Sequence, residues 1–232
     1  MGRPKREEWK GRSADGPSHP AFAHLSSDAL RRLSIYAELL KKWQRVINLV
    51  GAASLDDLWV RHFADSLQVS DAMPEARRWI DLGSGAGFPG LVTAIRYADD
   101  AQARIHLIES DQRKCAFLRE VSRETGARAI IHCDRIEKIL PEFHEPIEAV
   151  SARALAPLPT LLFYAEKFLE AGAVGVFSKG QQVEAELTDS FTLSKYLITT
   201  MESKTCASAR LVILRRRGDS APDLGAQPPI SP

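Results

Sequence analysis

Hydrophobic positions along the chain follow two rhythms: helical spacing near the N-terminus, then short apolar runs separated by helical stretches from residue 78 onward. In the first part Leu30, Leu33, Ile35, Tyr36, Leu39, Leu40 and Trp43 recur at helical spacing. Ser26 or Ser27 can cap the start of that helix, which is predicted to run to about Val46. Its opposite face carries Arg31, Arg32, Lys41, Lys42 and Arg45, offset only by Glu38. Beyond Asn48-Leu49-Val50-Gly51, Ser54 is expected to cap a second helix containing Leu55, Leu58, Trp59, Val60, Phe63 and Leu67. Together they predict a helical cover over residues 22–76.

The second part reads as strands alternating with helices. Strand one begins at Arg78 and enters a glycine-rich turn, after which a helix is expected from Phe88 to about Tyr97. Ile105 to Glu109 is strand two, and Asp111 opens a helix that passes Val121 and is stopped by Gly126. Ala129 to Cys133 and Ile147 to Ser151 are strands three and four, Leu158 to Leu169 a helix, and Val174 to Ser178 strand five. An unassigned segment, residues 187–193, precedes two last strands, Tyr196 to Met201 and Ala209 to Leu214. Alternation of this kind predicts a doubly wound, mostly parallel sheet. Only seven residues separate the last two strands, too few for a crossover, which predicts an antiparallel hairpin at one edge. Residues 77–217 are therefore expected to form one Rossmann-like domain.

Composition narrows the function classes. Residues 1–21 and 218–232 are rich in charge, Gly, Pro, Ser or Ala and are expected to be disordered tails, the first of them basic. The formal net charge is +1, so no global field draws the protein to nucleic acid and any such partner must be held locally. Cys115, Cys133 and Cys206 lack metal-ligand spacing, and neither a secretory leader nor an apolar run of membrane length is visible. A reduced, cytoplasmic, metal-free protein is the expectation.

Candidate chemistry gathers at the carboxyl ends of the strands, where open α/β sheets bind ligands. Asp81-Leu82-Gly83-Ser84-Gly85-Ala86-Gly87-Phe88-Pro89-Gly90 lets backbone approach a ligand and offers helix N–H groups to it. Both a dinucleotide and S-adenosylmethionine use such a turn. Glu109 closes strand two about 20 residues later, where a carboxylate can accept both ribose hydroxyls. After strand three, Ile136 and Glu137 can hold an adenine, while Asp134 can also serve simply as a helix cap. Arg153, after strand four, can pair with a carboxylate such as a methionyl group's, or with RNA phosphate. No Asn/Asp-Pro-Pro-aromatic clamp for an exocyclic amine ends strand four, and no cysteine ends strands four or five for a covalent adduct. A nucleophile that needs no deprotonation, such as guanine N7, fits that absence, and no catalytic residue is assigned.

Several segments carry a resemblance. They are Lys42-Trp43-Gln44-Arg45 with Asn48-Leu49, Arg61-His62-Phe63-Ala64-Asp65-Ser66, Ile80 through Gly90, Ser110 with Arg113-Lys114 and Phe117-Leu118-Arg119, Arg135-Ile136-Glu137, Arg153-Ala154, and Lys179-Gly180-Gln181. From about Phe22 to Arg217 the chain resembles the RsmG (glucose-inhibited division protein B) methyltransferases. The Gly87-Phe88-Pro89-Gly90 extension and the Arg-His-x-x-Asp-Ser segment carry most of the specificity. The resemblance implies a class I S-adenosylmethionine-dependent methyltransferase fold, with a seven-stranded sheet closed by the edge hairpin and covered by N-terminal helices. It further implies transfer of a methyl group to N7 of a guanine of 16S ribosomal RNA, guanine 527, in the small ribosomal subunit; a monomer is expected, although the sequence does not fix the oligomeric state. By position it brings Gly83, Phe88, Ile136, Glu137 and Arg153 to the cofactor, beside Gly85 and Glu109. Ala152 stands where many relatives carry Ser.

Asn48, Arg61, His62 and Lys179 are candidate RNA contacts at the mouth of the site. Arg61 and His62 can equally lock the helical cover onto the sheet. Two other classes use parts of the same pattern. An NAD-dependent oxidoreductase would share the turn and Glu109 but calls for a substrate domain with a proton-relaying residue. A non-catalytic RNA-binding module calls for a basic stripe or stacking aromatics, whereas charge is balanced and aromatics make up 7%.

Overall fold

A computed structural model describes residues 19–51, 54–181, 183–187 and 193–218. Seven strands, β1 (Arg78–Leu82), β2 (Arg104–Glu109), β3 (Ile130–Cys133), β4 (Ala149–Arg153), β5 (Val174–Lys179), β6 (Tyr196–Glu202) and β7 (Arg210–Arg216), form one sheet in the order β3-β2-β1-β4-β5-β7-β6. The first five are parallel, and β7 lies antiparallel between β5 and β6. Central β1 is buried on both faces from Trp79 to Leu82, as a continuous apolar run in a parallel sheet requires.

Helices cover both faces. On one side lie α1 (Ser27–Gln44), a π-helical stretch Trp59–Ala64, α2 (Asp65–Asp71), α3 (Gly90–Arg96) and α4 (Gln112–Thr125). Their apolar faces meet Trp79, Leu107 and Val176 of the sheet in one core. The other side is packed by α5 (Ile136–Glu142), α6 (Leu158–Glu170) and the short α7 (Val183–Glu186), against Ile80, Leu82, Ile108 and Val150. Burying Tyr36, Phe63 or Phe117, all fully inside, contributes roughly 2–3 kcal/mol apiece. The N-terminal helices thus belong to the main core of the sheet rather than to a satellite.

Local chemistry explains most element ends. The Ser26 side chain accepts from the Ala29 N–H to start α1, Asp111 accepts from Arg113 and Lys114 N–H to start α4, and Gly126 ends α4 at φ 67°. Four expectations shift. Ser54 caps no helix: its hydroxyl donates to the Gly51 carbonyl, and the winding begins near Leu58 as the wide π-helical stretch. That wider turn sends Trp59, Phe63 and Ala64 inward and leaves His62 facing the strand ends. Strand four runs over Ala149–Arg153, two residues later than expected, because Glu148 ties the sheet's lower edge. Its carboxylate accepts from the Arg77 and Arg78 N–H groups and pairs with the Arg78 side chain. Asp134 leaves α5 uncapped and instead accepts from Arg135 N–H and pairs with Lys138. Finally, Pro20–Phe22, partly assigned to the tail, is a 3-10 turn that buries Phe22 edge-on against Trp59 at 5.5 Å. Residues 1–18 and 219–232, and most of segment 187–193, lie outside the described residues.

Beneath the glycine turn sits a buried carboxylate. Asp81 accepts from the Ser151 hydroxyl at 2.7 Å and from the Gly90 N–H at 3.2 Å, joining β1, β4 and the first residue of α3. A Cβ on Gly90 would stand 2.6 Å from an Asp81 oxygen and 2.8 Å from its Cβ. Gly90→Ala is therefore expected to lower folding stability by about 2–3 kcal/mol through overpacking, read as a reduced midpoint with unchanged slope in urea denaturation.

Candidate functional site

The turn after β1 and the acid after β2 meet directly. One oxygen of the buried Glu109 carboxylate accepts from the Gly85 N–H and the other from the Asp111 N–H, each at 2.8 Å. Gly85 holds φ 57°, a conformation that side-chain-bearing residues rarely adopt, and so delivers its N–H to this carboxylate. Tyr36 of α1 reaches in from the cover, its hydroxyl donating to the Ala86 carbonyl and its ring stacking on Phe88 at 5.3 Å. The helical cover therefore fixes the glycine turn from above while Asp81 and Glu109 fix it from below and from the side.

Above these elements opens a cleft of about 550 Å³ at the carboxyl ends of β1, β2, β3 and β4. Gly83, Gly85, Phe88, Glu109, Ile136, Glu137 and Arg153 all line it, and so does His62. At one end Ile136 offers an apolar side chain among Asp134, Arg135 and Glu137, with the Tyr164 hydroxyl donating to Glu137 and holding that carboxyl below its ordinary value. The other end is polar and centres on Arg153.

Arg153 joins the cover to the sheet. Its Nη1 donates to the Arg61 carbonyl and to an Asp65 oxygen, both at 3.2 Å, and its Nη2 donates to His62 Nδ1 at 2.7 Å. The guanidinium also lies 5.0 Å from the centre of the Phe88 ring, on which His62 is stacked at 4.8 Å. Burial, then the Arg153 charge, then that of Arg61 lower the His62 pKa to about 3. The imidazole is therefore neutral, accepts at Nδ1, carries its proton on Nε2 and donates it to the Ser54 hydroxyl at 2.9 Å. Burial raises the Asp81 pKa to about 6 against the pull of its hydrogen bonds and of Arg153.

The remaining sequence candidates lie outside this cleft. Asn48 is exposed and accepts from Gln44, while the backbone of its neighbours Leu49 and Val50 is fastened to the same Gln44 side chain. Arg61 is exposed and engages Arg153 through its carbonyl, not its side chain. Lys179 is nearly buried, pairs with Glu186 at 2.7 Å and donates to the Ala156 carbonyl of the β4–α6 loop. Sequence reasoning missed Ser110, Lys114, Leu155 and Tyr164 in the lining. Tyr164 carries no local signal, since it joins the cleft only through the packing of α6 on α5. Gln44 was visible inside a motif, but its role depends on where the following loop folds.

A parallel sheet closed by an inserted antiparallel β7, with a glycine turn after β1 and an acid at the end of β2, defines the class I S-adenosylmethionine-dependent methyltransferase fold. Solved structures agree: the O-methyltransferase TomG of Streptomyces achromogenes, determined in complex with SAM, superposes with a TM-score of 0.56 at 16% identity, over 84% of this chain and 93% of that one. A methyltransferase from Geobacter sulfurreducens gives 0.55 at 12% identity, over 80% and 88%. Within that class, the model of the rRNA small subunit methyltransferase G (GidB) family matches residues 29–211. The ribosomal RNA small subunit methyltransferase G of Methylobacterium sp. (strain 4-46) is 43% identical over 87% of this chain and 95% of its own length. That of Parvibaculum lavamentivorans is 45% identical over 90% and 92%. The chain belongs to this methyltransferase family. No helix among the described residues is long and apolar enough to cross a membrane, and no cluster of three or more His, Cys, Asp or Glu there could hold a metal ion.

The neutral state of His62 has a pH signature. A group whose folded pKa lies below its ordinary 6.5 contributes stability that is complete above 6.5 and is lost as pH falls toward 3. His62→Gln keeps an acceptor for Arg153 without titrating. Between pH 6.5 and 5 the wild-type protein is expected to lose stability relative to this variant, by at most ~1.4 kcal/mol per pH unit, in denaturant titrations at each pH.

Proposed function

We propose that the cleft binds S-adenosylmethionine and that the protein, a cytoplasmic monomer, methylates N7 of a guanine in 16S ribosomal RNA of the small subunit, guanine 527 by family resemblance. The observation that carries this reading is the Glu109 carboxylate, buried between the glycine turn and the start of α4 at the floor of a cleft of cofactor size. Its oxygens each accept one backbone bond and retain lone pairs for two ribose hydroxyls. Ile136 offers an apolar surface to adenine, with Glu137 at its rim. Gly83 and Gly85 keep side chains out of the path of the methionyl portion. Arg153 stands at the polar end, within reach of a carboxylate.

When bound, S-adenosylmethionine would supply an electrophilic methyl carbon on a sulfonium, which the N7 lone pair could take while the C–S electron pair returned to sulfur. No proton leaves the base, and the protein needs no general base. Its own work is to orient two partners and exclude water, which proximity and alignment can supply. The neutral His62 suits that task, since its imidazole is not poised to exchange a proton near neutral pH, and Arg153 is held in place by its pair with Asp65.

The experiment uses purified protein, methyl-labelled S-adenosylmethionine and small subunits lacking the modification, with the labelled nucleotide mapped. A single N7-methylguanine is the expected result; label on another atom or on no RNA overturns the reading. Glu109→Gln removes the charge and turns one acceptor oxygen into an NH2 donor, so one of the bonds from Gly85 and Asp111 is lost as well, and adenosylmethionine affinity in calorimetry is expected to fall roughly tenfold to a hundredfold. Light scattering of the purified protein tests the monomer.

A further inference from the structure

Beside the cofactor cleft lies a second cavity of about 230 Å³, over the ends of β4 and β5 and bounded by the turn between β6 and β7. The two share Arg153 and Ala154 as a common wall. Asp65 builds the far side: one oxygen accepts from Arg153, the other from the Ser203 and Thr205 hydroxyls of the turn, which locks that turn against the cover.

Charge inside the cavity is already matched. Arg153 pairs with Asp65 at 3.2 Å, Lys179 with Glu186 at 2.7 Å and Arg210 with Glu202 at 3.6 Å. Such a lining suits a neutral planar group better than a phosphate. Two exposed cations are attached to this lining through their backbones, Arg61 by its carbonyl to Arg153 and Lys204 by its N–H to the cavity residue Gln68, and neither side chain has an ion pair among the described residues. Exposed cations beside a charge-matched pocket are what a nucleotide needs when its backbone stays outside and its base goes in.

Arg153 also retains hydrogen-bonding capacity. Of its five N–H groups three are engaged, by Arg61, Asp65 and His62, leaving Nε–H and one Nη2–H without a partner among the described residues. We propose that the second cavity receives the guanine to be methylated and that Arg153, set in the wall between cavity and cleft, donates to its O6. This rests on the guanine-N7 reading above and adds what selects the base. O6 lies on the same purine edge as N7, so a donor in the shared wall turns that edge toward the cofactor. Adenine presents amino hydrogens at the same place and meets a donor with a donor. Arg153 thereby acts as a specificity residue beside its place at the polar end of the cleft.

Gly180 provides a test away from the cofactor. It lines the second cavity only, and a Cβ built there meets nothing within 4 Å. Gly180→Leu is expected to bind S-adenosylmethionine within threefold of wild type while methyl transfer to deficient subunits falls a hundredfold or more; transfer within threefold of wild type overturns the cavity assignment. The second measurement needs no variant. Wild-type protein is offered subunits reconstituted with inosine, which keeps O6, or with 2-aminopurine, which keeps N7 and the amine but lacks O6. Transfer to 2-aminopurine is expected to be 10- to 100-fold slower; equal rates remove O6 reading by Arg153. A wild-type protein that binds adenosylmethionine but never labels guanine N7 would instead sink the reading on which this one stands.

Discussion

Much of the molecule hangs on one guanidinium. Arg153 ends the fourth strand, yet its partners are a carbonyl, an imidazole and a carboxylate from the N-terminal cover, together with the face of Phe88 in the glycine turn. Its side chain is only 18% exposed, so removing any one of these partners would leave a charge poorly hydrated and is costly. Neutral His62 is a condition of the arrangement, since a protonated ring could not accept from a cation. The cover, the turn and the sheet are consequently a single rigid frame around the cleft.

A second layer of constraint is the treatment of acids. Asp81 and Glu109 are both buried carboxylates close to the cofactor turn, but each binds backbone N–H groups rather than facing open apolar space. Asp81 spends its capacity inside the fold, on Ser151 and Gly90. Glu109 keeps one face toward the cleft. Two acids at neighbouring strand ends thus divide into a strut and a cleft-facing group, according to what surrounds them.

Most of the architecture was readable from pattern. Alternating strands and helices, the apolar run from Trp79 to Leu82 and the seven-residue link before the last strand led to the sheet as it stands. That the candidates at the strand ends line one cleft was readable because strand ends in this topology converge on one line. What escaped were matters of local competition. Ser54 has the composition of a cap, but its hydroxyl is claimed by Gly51 and His62; Glu148 delays a strand by binding two backbone N–H groups. The RNA candidates were harder still, because exposure, charge and adjacency to apolar segments do not say which atom is engaged. Arg61 contributes a carbonyl and Lys179 an internal ion pair, neither of which a one-dimensional pattern encodes.

The placement of β7 reaches into the life of the chain before it is finished. β5 needs Arg210–Arg216 for the bonds along its outer side, and β6, although made earlier, has only β7 to pair with. A nascent chain that has delivered five parallel strands therefore still carries an open sheet edge, rich in apolar side chains, until nearly all the described residues have left the ribosome. Assembly of the second cavity's wall at Ser178 and Lys179 is correspondingly a late event.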